Sequence, residues 1–312
     1  MKLNKNSKIF IAGHRGMVGS AVLRYFKKKK YKNLIFKDKK KLNLLNQKQT
    51  ENFLKRTKPD FVIIAAARVG GIIANNTYKA EFIYENLMIQ TNLIHASFKA
   101  GIKKLIFLGS SCIYPKHAKN PLKEEYLLSG KLEPTNDAYA IAKIAGIKMC
   151  EFYNNQYNLD YISLMPTNLY GPNDNYNLKN SHFFPALIKK ILNAKKKNKK
   201  NLEIWGTGKP KRELMYVDDL AIACEHFLRT NTKHYLINVG TGVEKTILNY
   251  AKFIMKKLNL NLDIRYDKKK PDGVKRKVVD ISIAKSYGWK PTFSLDHGFE
   301  LTIKDLLKNN RI

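Results

Sequence analysis

The sequence predicts an α/β protein, with a doubly wound parallel sheet over residues 1–172 and a smaller α/β domain over 173–312. Three observations lead there. A short apolar run, Lys8–Ala12, enters the glycine-rich turn Gly13-His-Arg-Gly16-Met-Val-Gly19, which opens an apolar-periodic helix through Val22, Leu23 and Phe26. Further apolar runs at 34–36, 61–65, 105–108 and 161–165 alternate with helical patterns, as strands do when right-handed crossovers lay them parallel. Past Pro172 the chain becomes polar and turn-rich.

Strand, Gly-x-x-Gly-x-x-Gly and helix together form the dinucleotide fingerprint of a Rossmann-like sheet. The glycines permit the tight turn, and the helix N-terminus meets a pyrophosphate. The second run, Leu34–Phe36, ends in Lys37-Asp-Lys39-Lys-Lys41. An acid here bonds a ribose 2′-OH, whereas basic residues accept a 2′-phosphate. Arg15 and Lys39 point to NADP; Asp38 is the residue that could serve NAD instead.

The third run, Phe61–Ala65, enters Ala66-Ala-Arg-Val-Gly70-Gly71, small residues that let backbone approach a ligand, and a helix follows over about 80–100. The fourth, Leu105–Leu108, delivers Gly109-Ser110-Ser111-Cys112-Ile-Tyr-Pro115. A helix carrying Tyr139-Ala-Ile-Ala-Lys143 precedes the fifth strand, Tyr161–Met165, which ends in Pro166-Thr-Asn-Leu-Tyr-Gly171-Pro172. In the second half, His182-Phe-Phe-Pro185 starts a helix and Lys195–Lys200 reads as an exposed loop. Trp205-Gly-Thr-Gly208 is a turn, and the stretch from Arg212 leads into a helix ending near Leu228. Elements over about 214–242 return to the first domain. Lys270-Pro-Asp272-Gly273 through Lys277 is a basic, turn-rich loop, and an amphipathic helix closes the chain.

The 58 Lys and Arg against 25 Asp and Glu give a formal charge of +33, which raises nucleic-acid binding as a possible function. The excess is mostly lysine and is spread over the chain. Its runs, Lys27–Lys30, Lys39–Lys41, Lys195–Lys200 and Lys268–Lys270, have no interleaved stacking aromatics. We read them as solvated surface, with no nucleic-acid partner. No apolar run approaches bilayer length, and the polar N-terminus carries no visible signal peptide. Cys112, Cys150 and Cys224 form neither a Cys-x-x-Cys motif nor a disulfide framework, which suits a reduced, cytoplasmic protein without a membrane partner. Cys150 and Cys224 sit at apolar helical positions and read as packing. No metal site is predicted.

Tyr139 and Lys143, at i and i+4, rise on one helix face about 6 Å apart. An ammonium beside a phenol lowers its pKa, so Tyr139 can exchange a proton with a sugar hydroxyl or carbonyl near neutrality. Ser110, from the strand end, can share the same oxygen. The same spacing recurs at Tyr25/Lys29 and Tyr266/Lys270, but only Tyr139 has the upstream Ser-Ser and the nucleotide fingerprint. The pattern is that of a hydride-transfer site.

These residues resemble the extended short-chain dehydrogenase/reductases, and within them the epimerase/reductases of GDP-4-keto-6-deoxy-mannose. The resemblance runs nearly end to end and rests on Ile11–Ser20, Ala65–Gly71, Leu108–Pro115, Glu133-Pro-Thr-Asn136, Tyr139–Gly146, Pro166–Pro172, Asn180-Ser-His182 and Lys270–Gly273. It implies that Cys112 is a base and His182 an acid, epimerising C3 and C5 beside the 4-keto group. NADPH reduction at C4 then follows, with Tyr139 as proton donor, Lys143 holding the phenol and the nicotinamide ribose, and Ser110 polarising the ketone. The implied product is GDP-L-fucose.

The cofactor positions carried over are Gly13, His14, Arg15, Gly16, Met17, Val18, Gly19, Lys39, Leu44, Leu108, Gly109, Ser110, Ser111, Lys143, Pro166, Thr167, Asn168, Leu169 and His182. Those for the GDP-sugar are Lys190, Trp205, Arg212, Asp272 and Lys277. Lys190 stands where the family usually has Arg, which keeps charge toward a diphosphate but loses the bidentate fork. The segment before Tyr235 is also shorter than usual. A homodimer through the long helices near 80–100 and 136–157 is a further implication. The alternatives are another sugar-nucleotide 4-epimerase or 4,6-dehydratase on the same scaffold, or a basic nucleic-acid-binding protein.

Overall fold

The computed structural model describes residues 2–178, 180–270 and 272–309; Pro271, in the predicted basic loop, lies outside the described residues. The first elements are β1 (Lys8–Ala12), α1 (Met17–Lys28), β2 (Asn33–Ile35), α2 (Gln47–Thr57), β3 (Phe61–Ile64), α3 (Ile72–Thr77), α4 (Lys79–Lys99), β4 (Lys104–Leu108), α5 (Asp137–Tyr157) and β5 (Asp160–Pro166). There follow β6 (Asn168–Tyr170), α6 (Phe183–Lys196), β7 (Asn201–Trp205), β8 (Lys211–Tyr216), α7 (Val217–Arg229), β9 (Leu236–Val239), β10 (Glu244–Thr246), α8 (Ile247–Lys257), β11 (Asp263–Asp267), β12 (Arg276–Lys277), α9 (Ser282–Ser286) and α10 (Leu295–Lys308).

The main sheet has the order β2-β1-β3-β4-β5-β9, every pair parallel. Its central strands β3 and β4 are buried at every residue, because helices cover both faces and the strands need no polar alternation. On one side α2, α4 and α5 pack against one another; elsewhere α1 packs on α7. The strand order reverses between β1 and β3, the crevice where ligands of such sheets collect. There Gly13 has φ +87, and a Cβ on it would stand 2.6 Å from Ala66 N.

A second, smaller core gathers Tyr170, Phe184, Ile188, Ile191, Leu202, Tyr216, Tyr250, Ile254 and Phe299 from β6, α6, β7, β8, α8 and α10. β8 is the hub of its sheet, pairing with β10, β12 and β6. The short strands β6, β10 and β12 carry no alternation long enough to read in the sequence. Lys195 and Lys196 close α6 rather than starting a loop, where basic side chains favour the helix C-terminus. Residues of the main core reappear beyond Val279, at Ile281, Ala284 and Trp289, so the returning segment reaches further along the chain than residue 242.

The two cores are joined at Glu213. This wholly buried carboxylate accepts from Gly242 N at 2.7 Å, Thr241 N at 2.5 Å and Val279 N at 2.9 Å. Burial raises its pKa, and those N–H donors oppose the rise. Three backbone donors from two separate loops would lose their acceptor in Glu213→Ala. Only the Val279 N–H is fully buried, and at about 1–3 kcal/mol for a buried unsatisfied group the loss should be about 2 kcal/mol or more. Denaturant unfolding measures it, and a change below about 1 kcal/mol would show that Glu213 does not join the halves.

Candidate active site

The nucleotide end of the crevice is backbone. Gly16 N bonds Gly13 O at 3.1 Å, and a Cβ on Gly19 would lie 2.1 Å from Gly13 O, so the turn closes only with glycine there. Gly16 caps α1 without a side chain, which leaves the first-turn N–H groups pointing at the crevice as an anion site. Beyond β2, Asp38 binds Arg15 through Nε at 2.6 Å and Nη2 at 2.8 Å, with His14 Nε2 at 3.2 Å. The His14 ring lies 4.9 Å from that of Phe36. Asp38 is therefore already engaged with the basic turn residue, and Lys39 is exposed beside it. The sequence indicated both acid and base but not their pairing.

The catalytic-looking residues converge on the end of β4. Gly109 N bonds Leu164 O at 2.9 Å, and Met165 leaves no room for a side chain at Gly109. Ser110 is extended and accepts from Cys112 N at 3.3 Å, capping a short 3-10 turn over Ser111–Ile113. Tyr114 OH donates to Asn238 Oδ1 at 2.6 Å, which fastens that turn to β9. Lys143 is 3% exposed, donates to Leu108 O at 2.7 Å, and its Nζ lies 5.7 Å from the Tyr139 ring centroid and 4.7 Å from that of Phe107.

The electrostatics differ from the sequence expectation. Burial raises the Tyr139 pKa, with the Cys112 charge adding to the effect. Burial also lowers Lys143 to about 8, opposed by Cys112. The ammonium faces the Leu108 carbonyl rather than forming a bond to the phenol, so desolvation outweighs its pull. Tyr139 is thus a neutral phenol near pH 7, a form suited to giving a proton.

The other tyrosine–lysine pairs have structural work. Tyr25 OH donates to Glu225 Oε2 at 2.6 Å. Tyr266 lies in strand β11, and the Lys270 Nζ stands over Trp205, 5.5 Å from its centroid. Cys150 and Cys224 are fully buried, and burial pushes each thiol up to about 12.

The second half supplies the remaining residues. His182 precedes α6, held by the bond of Gly71 N to Asn180 O at 2.8 Å, and Gly71 has no room for a Cβ against Ser181 O. His182 is exposed at its surface, but burial of its ring nitrogens by the surrounding protein, with Lys277 adding, holds its pKa below the ordinary value. Lys190 Nζ donates to Glu203 O at 3.0 Å and lies 5.0 Å from the Trp205 ring centroid. Asp272 accepts from Thr207 N at 2.7 Å and Thr207 Oγ1 at 2.8 Å, and Arg212 Nη2 reaches Asp272 O at 3.4 Å. Lys190, Trp205, Arg212 and Asp272 thus form one polar, aromatic wall.

Lys277 adjoins that wall from β12, where it is paired in register with Arg212. It lines a cleft with Ser111, Cys112, Glu133 and Asn136. Glu133 pairs with Lys116 at 3.1 Å. Of the cofactor positions, Pro166 and Thr167 sit at the β5 end, where Thr167 N bonds Val239 O at 3.1 Å. Asn168 and Leu169 already belong to β6, and Asn168 Nδ2 bonds Glu213 O at 3.0 Å. Leu44 O accepts from Asn92 Nδ2 at 2.9 Å. Met17 and Val18 open α1. Glu133, Asn136 and the position of Lys277 went unread in the sequence; the Glu133-Pro-Thr-Asn136 motif was the available signal. Among the described residues no cluster of His, Cys, Asp and Glu could hold a metal ion.

The model of the NAD dependent epimerase/dehydratase family matches residues 9–240. GDP-L-fucose synthase 1 of Arabidopsis thaliana is 49% identical over 306 residues, covering 98% of this chain and 95% of its own. GDP-L-fucose synthase of Escherichia coli (strain K12) is 48% identical over 311 residues, covering 97% of each. A solved GDP-L-fucose synthetase from Naegleria fowleri bound to NADP superposes with a TM-score of 0.89 at 27% identity, over 100% of this chain and 96% of its own.

Proposed function

The chain belongs to the NAD dependent epimerase/dehydratase family and, within it, to the GDP-L-fucose synthases, and we propose that Ser110, Cys112, Tyr139, Lys143 and His182 carry its two reactions in one cleft. The activity is the NADPH-dependent conversion of GDP-4-keto-6-deoxy-mannose to GDP-L-fucose, by epimerisation at C3 and C5 and reduction at C4. One observation supports this reading most. Cys112 stands on the strand-end turn two residues past Ser110 and lines the cleft, and a 4-epimerase needs no such cysteine paired with a histidine.

The glycine turn fits a dinucleotide, since Gly16 caps α1 without a side chain and leaves room for a pyrophosphate at the helix N-terminus. Arg15 and Lys39 suit a 2′-phosphate, with Asp38 holding Arg15 in place. NADPH supplies the hydride that reduces C4. The protein supplies the rest. Cys112 removes the proton beside the ketone, the substrate carries the charge as an enolate, and His182 returns a proton on the opposite face. With its pKa held low, His182 gives up a proton readily once charged. Ser110 donates to the ketone oxygen, and neutral Tyr139 protonates the oxygen that reduction leaves. Lys143, bonded to Leu108 O, stabilises that exchange. Lys190, Trp205, Arg212 and Lys277 offer charge and an aromatic face to the GDP moiety, and Asp272 orders the same wall.

In this reading the main core is the cofactor domain and the second core the substrate domain. We place two copies together across α4 and α5, whose Tyr84, Ile141 and Phe152 are 59%, 47% and 57% exposed. Among the described residues no helix is long and apolar enough to cross a membrane, and we place the enzyme in the cytoplasm, with no nucleic-acid partner.

The direct test is product analysis after incubation with NADPH and GDP-4-keto-6-deoxy-mannose, with UDP-glucose and NAD as the rival pair. GDP-L-fucose from the first and no turnover of the second is expected. The reverse result would assign a 4-epimerase.

Cys112→Ser keeps the shape but replaces the thiol with a hydroxyl, a far weaker acid. In deuterated water the wild type should place label at C3 and C5, whereas the variant should incorporate at least about a hundredfold less. Its slow NADPH oxidation should yield an unepimerised GDP-6-deoxy sugar. Full exchange by the variant would make another residue the base.

Lys143 is lowered to about 8, so it loses its proton as pH rises through that value. The kcat/KM for reduction should therefore fall above about pH 8, and Lys143→Arg should move that limb upward. A profile flat to about pH 10 would remove Lys143 from the chemistry.

A further inference from the structure

The Ala65–Gly71 segment that follows β3 carries a side chain to which the mechanism above gives no task. Arg68 pairs with Glu85 of α4 through Nη1, and its guanidinium carbon lies 5.4 Å from the Phe82 ring centroid and 5.7 Å from that of Tyr78. Its backbone is fixed as well. Arg68 N donates to Asn86 Oδ1 at 3.0 Å, and Asn86 Nδ2 donates to Arg68 O at 3.0 Å and to Phe82 O at 2.7 Å. Asn86 is 1% exposed, and a buried network with its polar groups satisfied is rigid, so the segment is locked onto the first turns of α4.

Phe82 is the residue that this clamp encloses. It is 2% exposed, and a Cβ on Gly70 would stand 3.2 Å from its Cζ. Its ring lies 6.3 Å from that of Tyr139 at 80°, the edge-to-face arrangement that aromatic pairs prefer. Tyr139 needs such a neighbour. Among the described residues its hydroxyl makes no hydrogen bond, since Lys143 donates to Leu108 O instead. The phenol is therefore aimed by what touches its ring, the Lys143 ammonium at 5.7 Å and the Phe82 ring. A swing about the Tyr139 Cα–Cβ bond would carry the hydroxyl away from the end of β4, and Phe82 stands against it.

We infer that Phe82 is a positioning residue for Tyr139: held by Arg68 and Asn86, it keeps the phenol aimed at the substrate oxygen beside the end of β4. The inference rests on reading Tyr139 as the proton donor of the reduction. In the step it serves, the oxygen that reduction leaves takes the phenol proton, and water then returns one to Tyr139. Phe82 exchanges no proton itself. Proton exchange at C3 and C5, assigned to Cys112 and His182, does not pass through this contact.

The test is a double-mutant cycle on the full chain, read by single-turnover NADPH oxidation with GDP-4-keto-6-deoxy-mannose. Phe82→Leu should slow reduction by about tenfold, because a misaimed donor costs rate rather than binding, and should leave both KM values within about twofold. In the Tyr139→Phe background the same substitution should change the residual rate less than about twofold, which a merely structural role would not produce. Deuterium wash-in at C3 and C5 should stay within about twofold of wild type. Arg68→Met, which leaves the Phe82 ring in place, should slow reduction about threefold, and Arg68→Lys should recover most of that; this pair carries the test should Phe82→Leu not fold. A wild-type reduction rate in both Phe82→Leu and Arg68→Met, or an equal loss with and without the Tyr139 hydroxyl, would overturn the proposal. Failure of the functional reading is a separate result: Tyr139→Phe within about tenfold of wild type would remove the proton donor itself, and with it the role of Phe82.

Discussion

The buried bond from the Lys143 ammonium to the Leu108 carbonyl, 2.7 Å long, is the joint on which the catalytic geometry depends. An ammonium with 3% exposure is tolerable only if its protons find acceptors. The last carbonyl of β4 supplies one, and the face of Phe107 at 4.7 Å supplies a weaker attraction. The bond ties the first turns of α5 to the end of the strand that delivers Ser110 and Cys112. Close packing completes the joint: Gly146 meets the Phe107 ring and Gln90, and Gln90 Nε2 donates to Ala142 O. Rotating α5 would break the bond, clash at Gly146 and remove Tyr139 from the strand end together.

The second joint, Glu213, works between the cores rather than within one. It takes its donors from the turn after β9 and from the backbone beyond β12. Through that second contact the carboxylate also fixes where β12 ends, and so where Lys277 stands. The 122–124 loop repeats the logic: Asn238 N bonds Glu124 Oε1 at 2.8 Å, and Asn238 Nδ2 bonds Leu122 O at 2.9 Å. The walls of the Cys112 cleft are thus fastened by side chains to backbone groups.

Legibility in the sequence follows the range of each interaction. Apolar runs reveal β1, β3, β4 and β5, since strands buried on both faces need no other signal. The glycine turn and the i, i+4 pair are local and legible too. β6, β10 and β12 are two or three residues long and exist because β8 offers them backbone partners. No periodicity marks them. The lowered Lys143 and raised Tyr139 pKa values were likewise out of reach, because burial decides them and burial is tertiary. The pairing of Arg15 with Asp38 spans a strand and a turn, so the sequence held both residues without their relation.

The division of labour between the two cores follows from which residues each one positions. Ser110, Tyr139 and Lys143 all hang from β4 and α5, elements of the main core, so a proton donor for a ketone can be assembled without the second half. On the roles proposed for Cys112 and His182, epimerisation cannot: Cys112 lies on the main core's turn, but His182 heads α6 in the second half. A base on one half and an acid on the other can address opposite faces of a ring held between them, as inversion at carbon requires. In the proposed mechanism the cleft between the halves is therefore a condition of the chemistry, and the bonds at Gly71, Leu122 and Glu213 that fasten its walls bear on epimerisation more directly than on reduction.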